Sequence, residues 1–146
     1  MKNLLVILLL SVTLLSCNKN DDNNTNNTNN PFLSIPPVNL SLNLSLPEYN
    51  PLKFPGNSVI ISNQGIKGIV VYCVNENFYT AFDLTDPNHA PNTCSKMDII
   101  GIEAFCDCGD ENVYDIITGQ HLSNQSLYPM QQYRAERGGD VINISN

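Results

Sequence analysis

The chain has 146 residues, with 14 acidic against 7 basic side chains and a formal charge of −7. That length suits one folded domain with a modest core. No basic cluster interrupts the acidity, which argues against nucleic acid and anionic lipid headgroups as partners and leaves solubility as the charge's role.

The chain opens with Lys2, a largely apolar run from Leu4 to Leu15, then Ser16 and Cys17. As a helix, about twelve residues cover about 18 Å, short of the roughly 30 Å hydrocarbon core of a bilayer. A basic start, a short apolar stretch and a small residue before the cut are the grammar of a secretory signal. The run Leu14-Leu15-Ser16-Cys17 resembles the lipobox of bacterial lipoproteins. That resemblance implies a signal over residues 1–16, cleavage before Cys17, acylation of Cys17 and the lipid bilayer as a partner. Buried acyl methylenes contribute about 0.8 kcal/mol each, so two or three chains anchor firmly.

Behind Cys17, Asn18 to Asn30 reads NKNDDNNTNNTNN, without an apolar residue. Such a stretch buries too little surface to offset chain entropy, so residues 17–30 are expected to be a disordered tether. Lys19 with Asp21 and Asp22 is similar to the surface-export signal of some Bacteroidota lipoproteins, although Asn20 intervenes; a solvated linker is the other reading. The expected location is the envelope of a Gram-negative bacterium, at the outer membrane, with the surface as the destination the export signal implies.

Residues 31–146 form the remaining domain, and helical periodicity is nearly absent from it. Val38, Leu40, Leu42, Leu44 and Leu46 alternate with Asn39, Ser41, Asn43 and Ser45, the pattern of a half-buried strand. Val59 to Ile61 reads as a second strand. Gly68 to Val74 and Phe78 to Leu84 flank Asn75-Glu76-Asn77 as a hairpin. Its aromatics Tyr72, Phe78, Tyr79 and Phe82 read as core, with a binding surface as the other option for one face.

An irregular segment runs from Thr85 to Met97. Short strands follow over 98–102 and 104–106, then an acidic turn over 107–112 and a strand over 113–116. After the turn Ile117-Thr118-Gly119-Gln120, segments 130–137 and 140–144 close a hairpin through Gly138-Gly139, which supplies positive backbone angles. Many short strands with Gly and Pro punctuation predict an all-β sandwich or small barrel.

Besides Cys17, the cysteines are Cys73, Cys94, Cys106 and Cys108. In a secreted chain an even set points to disulfides. Cys106 and Cys108 are too close in sequence to pair without strain. The patterns left open join Cys94 to one of them, with Cys73 free or taking the other.

From about Gly56 to Ile144 the order of elements resembles a Rieske domain. The features that carry this are the hairpin 69–84, Asp86-Pro87-Asn88-His89, Cys106-Asp107-Cys108-Gly109, Tyr114-Asp115, Thr118-Gly119, Tyr133 and the Gly138-Gly139 turn. The resemblance implies a small Rieske-like stack of antiparallel sheets, or partial barrel, with two loops at one end that hold a [2Fe-2S] cluster in the family. It also implies a disulfide between those loops, and Cys94–Cys108 occupies the comparable places. The family's ligands are Cys-x-His in the first loop and Cys-x-x-His in the second. Here Asp86 stands for the first Cys, Asn88 for the first His and Gly109 for the second His; Cys106 alone matches. His89 lies one position from a ligand place.

A Rieske cluster takes two thiolates on one iron and two imidazoles on the other. Glycine has no donor, Asn is a poor iron ligand and Asp is a hard one. The expectation is therefore a domain without its cluster: no cofactor, no metal, no catalysis, and a structural or binding role toward a protein or small molecule. The alternative is electron transfer through a [2Fe-2S] cluster on altered ligands. Any cluster or tetrahedral metal would draw on His89, Cys94, Cys106 and Cys108. A third reading makes Cys106 and Cys108 a thiol redox sensor.

Other chemistry is weaker. Asp107, Asp110, Glu111 and Asp115 depart from a Ca²⁺ loop and read as a solvated turn. His89 and His121 sit in no nucleophile motif, and no phosphate loop is present.

Overall fold

The computed structural model describes residues 30–146. The signal, Cys17 and residues 18–29 of the tether lie outside the described residues. Asn30 is buried, and its Nδ2 donates to the Pro87 carbonyl at 2.7 Å.

The fold is all-β. Among the described residues nine strands run β1 Asn39–Asn43, β2 Ser58–Ile61, β3 Ile69–Asn75, β4 Phe78–Asp83, β5 Asp98–Ile100, β6 Glu103–Phe105, β7 Val113–Asp115, β8 Gln132–Gly138 and β9 Val141–Ser145. Six form one antiparallel sheet in the order β1-β9-β8-β4-β3-β2, and three form a second, β5-β6-β7. The large sheet is curled. Leu42 of β1 and Ile61 of β2, on its two outermost strands, reach the same core as Val71, Tyr133 and Ile144.

Strands β3 and β4 are buried on both faces because a second core lies on the outside of the curl. Val71, Cys73, Tyr79 and Ala81 face inward. Val70, Tyr72 and Phe82 face outward onto Ala104, Tyr114, Ile116 and Met130 of the small sheet and its loops. This double burial explains why β3 reads as a continuous apolar run rather than an alternation. The hairpin aromatics are core at Tyr72, Tyr79 and Phe82, whereas Phe78 is exposed.

The alternating segment Val38 to Leu46 pairs over a shorter span than its pattern suggests. After Asn43 the chain turns: Asn43 Oδ1 accepts from Ser45 N–H at 2.9 Å, and Leu46 N–H donates to the Asn43 carbonyl at 3.0 Å. Leu44 stays buried and Leu46 is left exposed. A 3-10 turn over Asn50–Lys53 carries the fully buried Leu52 into the inner core. The segment lacks a full helical period, so its sequence gave no signal for it.

The β4-to-β5 loop and the β6-to-β7 loop lie side by side at one end of the small sheet. Loop one is held by Met97 N–H donating to the Leu84 carbonyl at 2.7 Å and Asp86 N–H to the Ser95 carbonyl at 2.9 Å. Loop two is closed by Cys106 N–H donating to the Asn112 carbonyl at 3.0 Å.

Candidate functional site

The two loops are joined covalently. Cys94 and Cys108 form a disulfide, with Cα atoms 5.0 Å apart. A turn presents Cys94: Asn92 Oδ1 accepts from the backbone N–H of Cys94 at 2.9 Å and of Ser95 at 3.1 Å. Such side-chain turns are how Asn competes with regular backbone pairing. Cys73 and Cys106 are free and buried. Cys73 lies in the inner core. With Cys108 bonded to Cys94, the proposed redox pair Cys106/Cys108 does not exist as two thiols. The donor set His89, Cys94, Cys106 and Cys108 likewise loses two members to the bridge.

Asp86 organises the first loop. It is fully buried, and its Oδ1 accepts from the Asn88 backbone N–H at 2.8 Å and from the Tyr114 hydroxyl at 3.0 Å. Its Oδ2 accepts from Asn112 Nδ2 at 2.9 Å. A buried carboxylate without such partners would be costly. Asn88 is held by Tyr114 and Tyr128. Its Nδ2 donates to the Tyr114 hydroxyl at 2.8 Å and the Tyr128 carbonyl at 2.9 Å, and its Oδ1 accepts from Tyr128 N–H at 2.9 Å. Gly109 sits at φ 81°, and a Cβ placed there would meet nothing within 4 Å.

His89 and Cys106 are brought together. Nε2 of His89 lies 3.4 Å from Cys106 Sγ, 3.6 Å from Asp86 Oδ2 and 3.4 Å from Asp110 Oδ2. Burial, with the Asp86 carboxylate next, pushes the Cys106 thiol up to about 12, so it is protonated at neutral pH. In that form its S–H donates to Nε2.

Residues that the sequence did not single out complete the site. Asn112 Nδ2 donates to both Asp86 Oδ2 and Asp110 Oδ2, at 2.9 Å each. His121 is buried and structural. Its Nδ1 accepts from the backbone N–H of Ser123 at 3.2 Å and Asn124 at 3.0 Å, so the proton sits on Nε2, which donates to Asn112 Oδ1 at 3.2 Å. Asp86 was legible only as a missing thiol and Asp110 only as part of an acidic turn. Nothing in the one-dimensional pattern places Asp110 beside His89. Asp115 does not join them: it accepts from Ile117 N–H at 2.8 Å and from the Thr118 hydroxyl at 3.3 Å.

A curled antiparallel sheet, a three-stranded sheet on its outer face and two bridged loops at one end are the arrangement that the resemblance to a Rieske domain implies. No protein-family model matches the sequence, and no curated protein matches it. Solved structures do. A ferredoxin of carbazole 1,9a-dioxygenase from Nocardioides aromaticivorans is 16% identical at a TM-score of 0.45, over 74% of this chain and 95% of that one. A chain from the complex of reduced oxygenase and oxidized ferredoxin in carbazole 1,9a-dioxygenase is 19% identical at 0.43, over 62% and 82%. A protein assigned as an NADH-dependent nitrite reductase small subunit from Mycobacterium tuberculosis is 15% identical at 0.46, over 76% and 96%.

Proposed function

We propose that this chain is a lipid-anchored envelope protein whose Rieske-like loop end carries no [2Fe-2S] cluster and serves a structural or binding role. The observation that carries this reading is the donor set between the loops. A two-iron centre of this type takes two thiolates on one iron and two imidazoles on the other. The loops offer one thiol, Cys106, and one nearby imidazole, His89. These two face each other at 3.4 Å, close enough to share one small ion, whereas the family's thiolates and imidazoles sit on different irons. Asp86 offers a hard carboxylate where the two-iron centre takes a thiolate, and Asn88 is committed to Tyr128. The residues present do not fit the cluster.

The rival reading is electron transfer through a cluster on altered ligands. The convergence of His89 and Cys106 from separate loops is what favours it. Iron and acid-labile sulfide analysis of protein purified without oxygen separates the two: neither element at stoichiometric level supports the first reading, and two of each per chain support the second.

Anchoring rests on the run Leu14 to Cys17. Mass spectrometry of the amino-terminal peptide tests it, with acyl chains on Cys17 expected and release from the membrane fraction in Cys17→Ala. A peptide beginning at Met1 with an unmodified Cys17 would contradict it.

A further inference from the structure

Four donors converge where the two loops meet. From Nε2 of His89 the distances are 3.4 Å to Cys106 Sγ, 3.4 Å to Asp110 Oδ2 and 3.6 Å to Asp86 Oδ2. The ligand atoms of these four residues all lie within 4.8 Å of one another. Bonds of about 2.0–2.3 Å from a tetrahedral ion leave its ligand atoms about 3.3–3.7 Å apart. The three distances from Nε2 match those edges. They are too long for charged N–H···O hydrogen bonds, which run about 2.7–3.2 Å, so a proton on Nε2 would serve neither carboxylate well.

The surroundings point the donors inward. His89 Nδ1 lies 3.2 Å from the Ala90 carbonyl oxygen, which can only accept, so that contact places the proton on Nδ1 and leaves the Nε2 lone pair facing the other donors. A backbone carbonyl on the far nitrogen is the usual way a ligating histidine is oriented. Asn112 Nδ2 spans both carboxylate oxygens at 2.9 Å, and His121 fixes Asn112 through its Oδ1. His89 and Asp110 keep 24% and 32% of their side-chain surface exposed, so an ion has a path from solvent.

We propose that Asp86, His89, Cys106 and Asp110 form a mononuclear site for a four-coordinate divalent ion, with Zn²⁺ the ion that one thiolate, one imidazole and two carboxylates suit best. The inference rests on the reading that no two-iron cluster fills these loops. On binding, Cys106 loses its proton to solvent and the sulfur takes the ion. The ion then ties loop one to loop two beside the Cys94–Cys108 bridge.

The test uses the full chain with its disulfide intact, stripped with chelator and titrated with Co²⁺. Expected are intense visible bands of four-coordinate Co²⁺ and a near-ultraviolet thiolate-to-cobalt band. Both should saturate at one ion per chain and be bleached by Zn²⁺. Cys106→Ser should abolish the thiolate band, and Cys73→Ala, which removes the other free thiol among the described residues, should leave it. Asp110→Asn, at an exposed position that spares the fold, should weaken binding at least tenfold. No four-coordinate spectrum in folded protein, or a thiolate band that survives Cys106→Ser, would overturn the site and leave the cluster-free reading standing. Two irons with sulfide in the protein as isolated would overturn both.

Discussion

His89 and Cys106 stand on different loops, yet Nε2 of one lies 3.4 Å from Sγ of the other. Neither loop achieves this alone. Asp86 folds loop one so that His89 reaches Cys106 while Asn88 bonds Tyr114 and Tyr128. The Cys106–Asn112 backbone bond sets the thiol at the mouth of loop two. The pair meets because the disulfide and the Asp86–Asn112 contact press the loops together.

Asn88, where the resemblance to a Rieske domain implies a ligand, is a brace in this fold. Asn88→Ala removes both bonds to the Tyr128 backbone and the one to the Tyr114 hydroxyl. The expected cost is about 1–3 kcal/mol. Urea unfolding checks it: the midpoint should fall while the slope, which follows the surface exposed, stays the same. An unchanged midpoint would mean that the loop is not braced there.

The bridge is testable by counting thiols. In denaturant without reductant, Cys73 and Cys106 should alkylate while Cys94 and Cys108 stay linked, and reductant should release the latter two. Closing a loop of about 15 residues is worth about 3 kcal/mol in the chain-entropy model, so the Cys94→Ser/Cys108→Ser variant should lose about that much. Alkylation of Cys94 before reduction would refute the pairing.

Tyr133 and Asp83 are tied by a 2.8 Å bond across the inner core. Asp83 also accepts from Ile66 N–H at 2.7 Å and Thr85 N–H at 2.9 Å, so it anchors the start of the first loop. Tyr133→Phe should cost about 1–3 kcal/mol. Burial first, then the Asp83 carboxylate, raises the Tyr133 phenol; burial also raises Tyr114. The neutral phenol is the form the fold favours. Its contribution is therefore complete below the ordinary value of about 10 and is lost as pH climbs above it. Chemical denaturation across pH 8 to 12 should show stability falling from about pH 10 upward. A flat profile to pH 12 would contradict the assignment.

Gly119 packs against an aromatic face. It sits at φ 74°, and a Cβ there would come within 2.5 Å of Phe82 Cε1. Both the backbone angle and the ring oppose a side chain. Gly119→Ala should destabilise by about 1–3 kcal/mol, read from the thermal midpoint. A neutral result would show that the turn can shift off Phe82.

The positions of the strands along the chain were legible because each carries its own signal, whereas their order in the sheets was not. Gly-Gly marked the closing hairpin, and the runs around Asn75 to Asn77 marked the central one. Leu46 misled because alternation persists in sequence after Asn43 has already turned the chain. The site was half legible. Cys106 and His89 stood out as donor types, and the Cys94–Cys108 pairing came from resemblance. The role of Asp86 depends on contacts with Asn112, 26 residues along the chain, and with Tyr114, 28 residues along it. No local period encodes contacts at that range.

The central claim concerns what fills the gap between the loops. The visible absorption spectrum of the chain, purified without oxygen from iron-replete cells, tests it most directly. The account predicts a colourless protein. A red-brown protein, whose colour disappears in His89→Ala and Cys106→Ser but persists in Cys73→Ala, would contradict it.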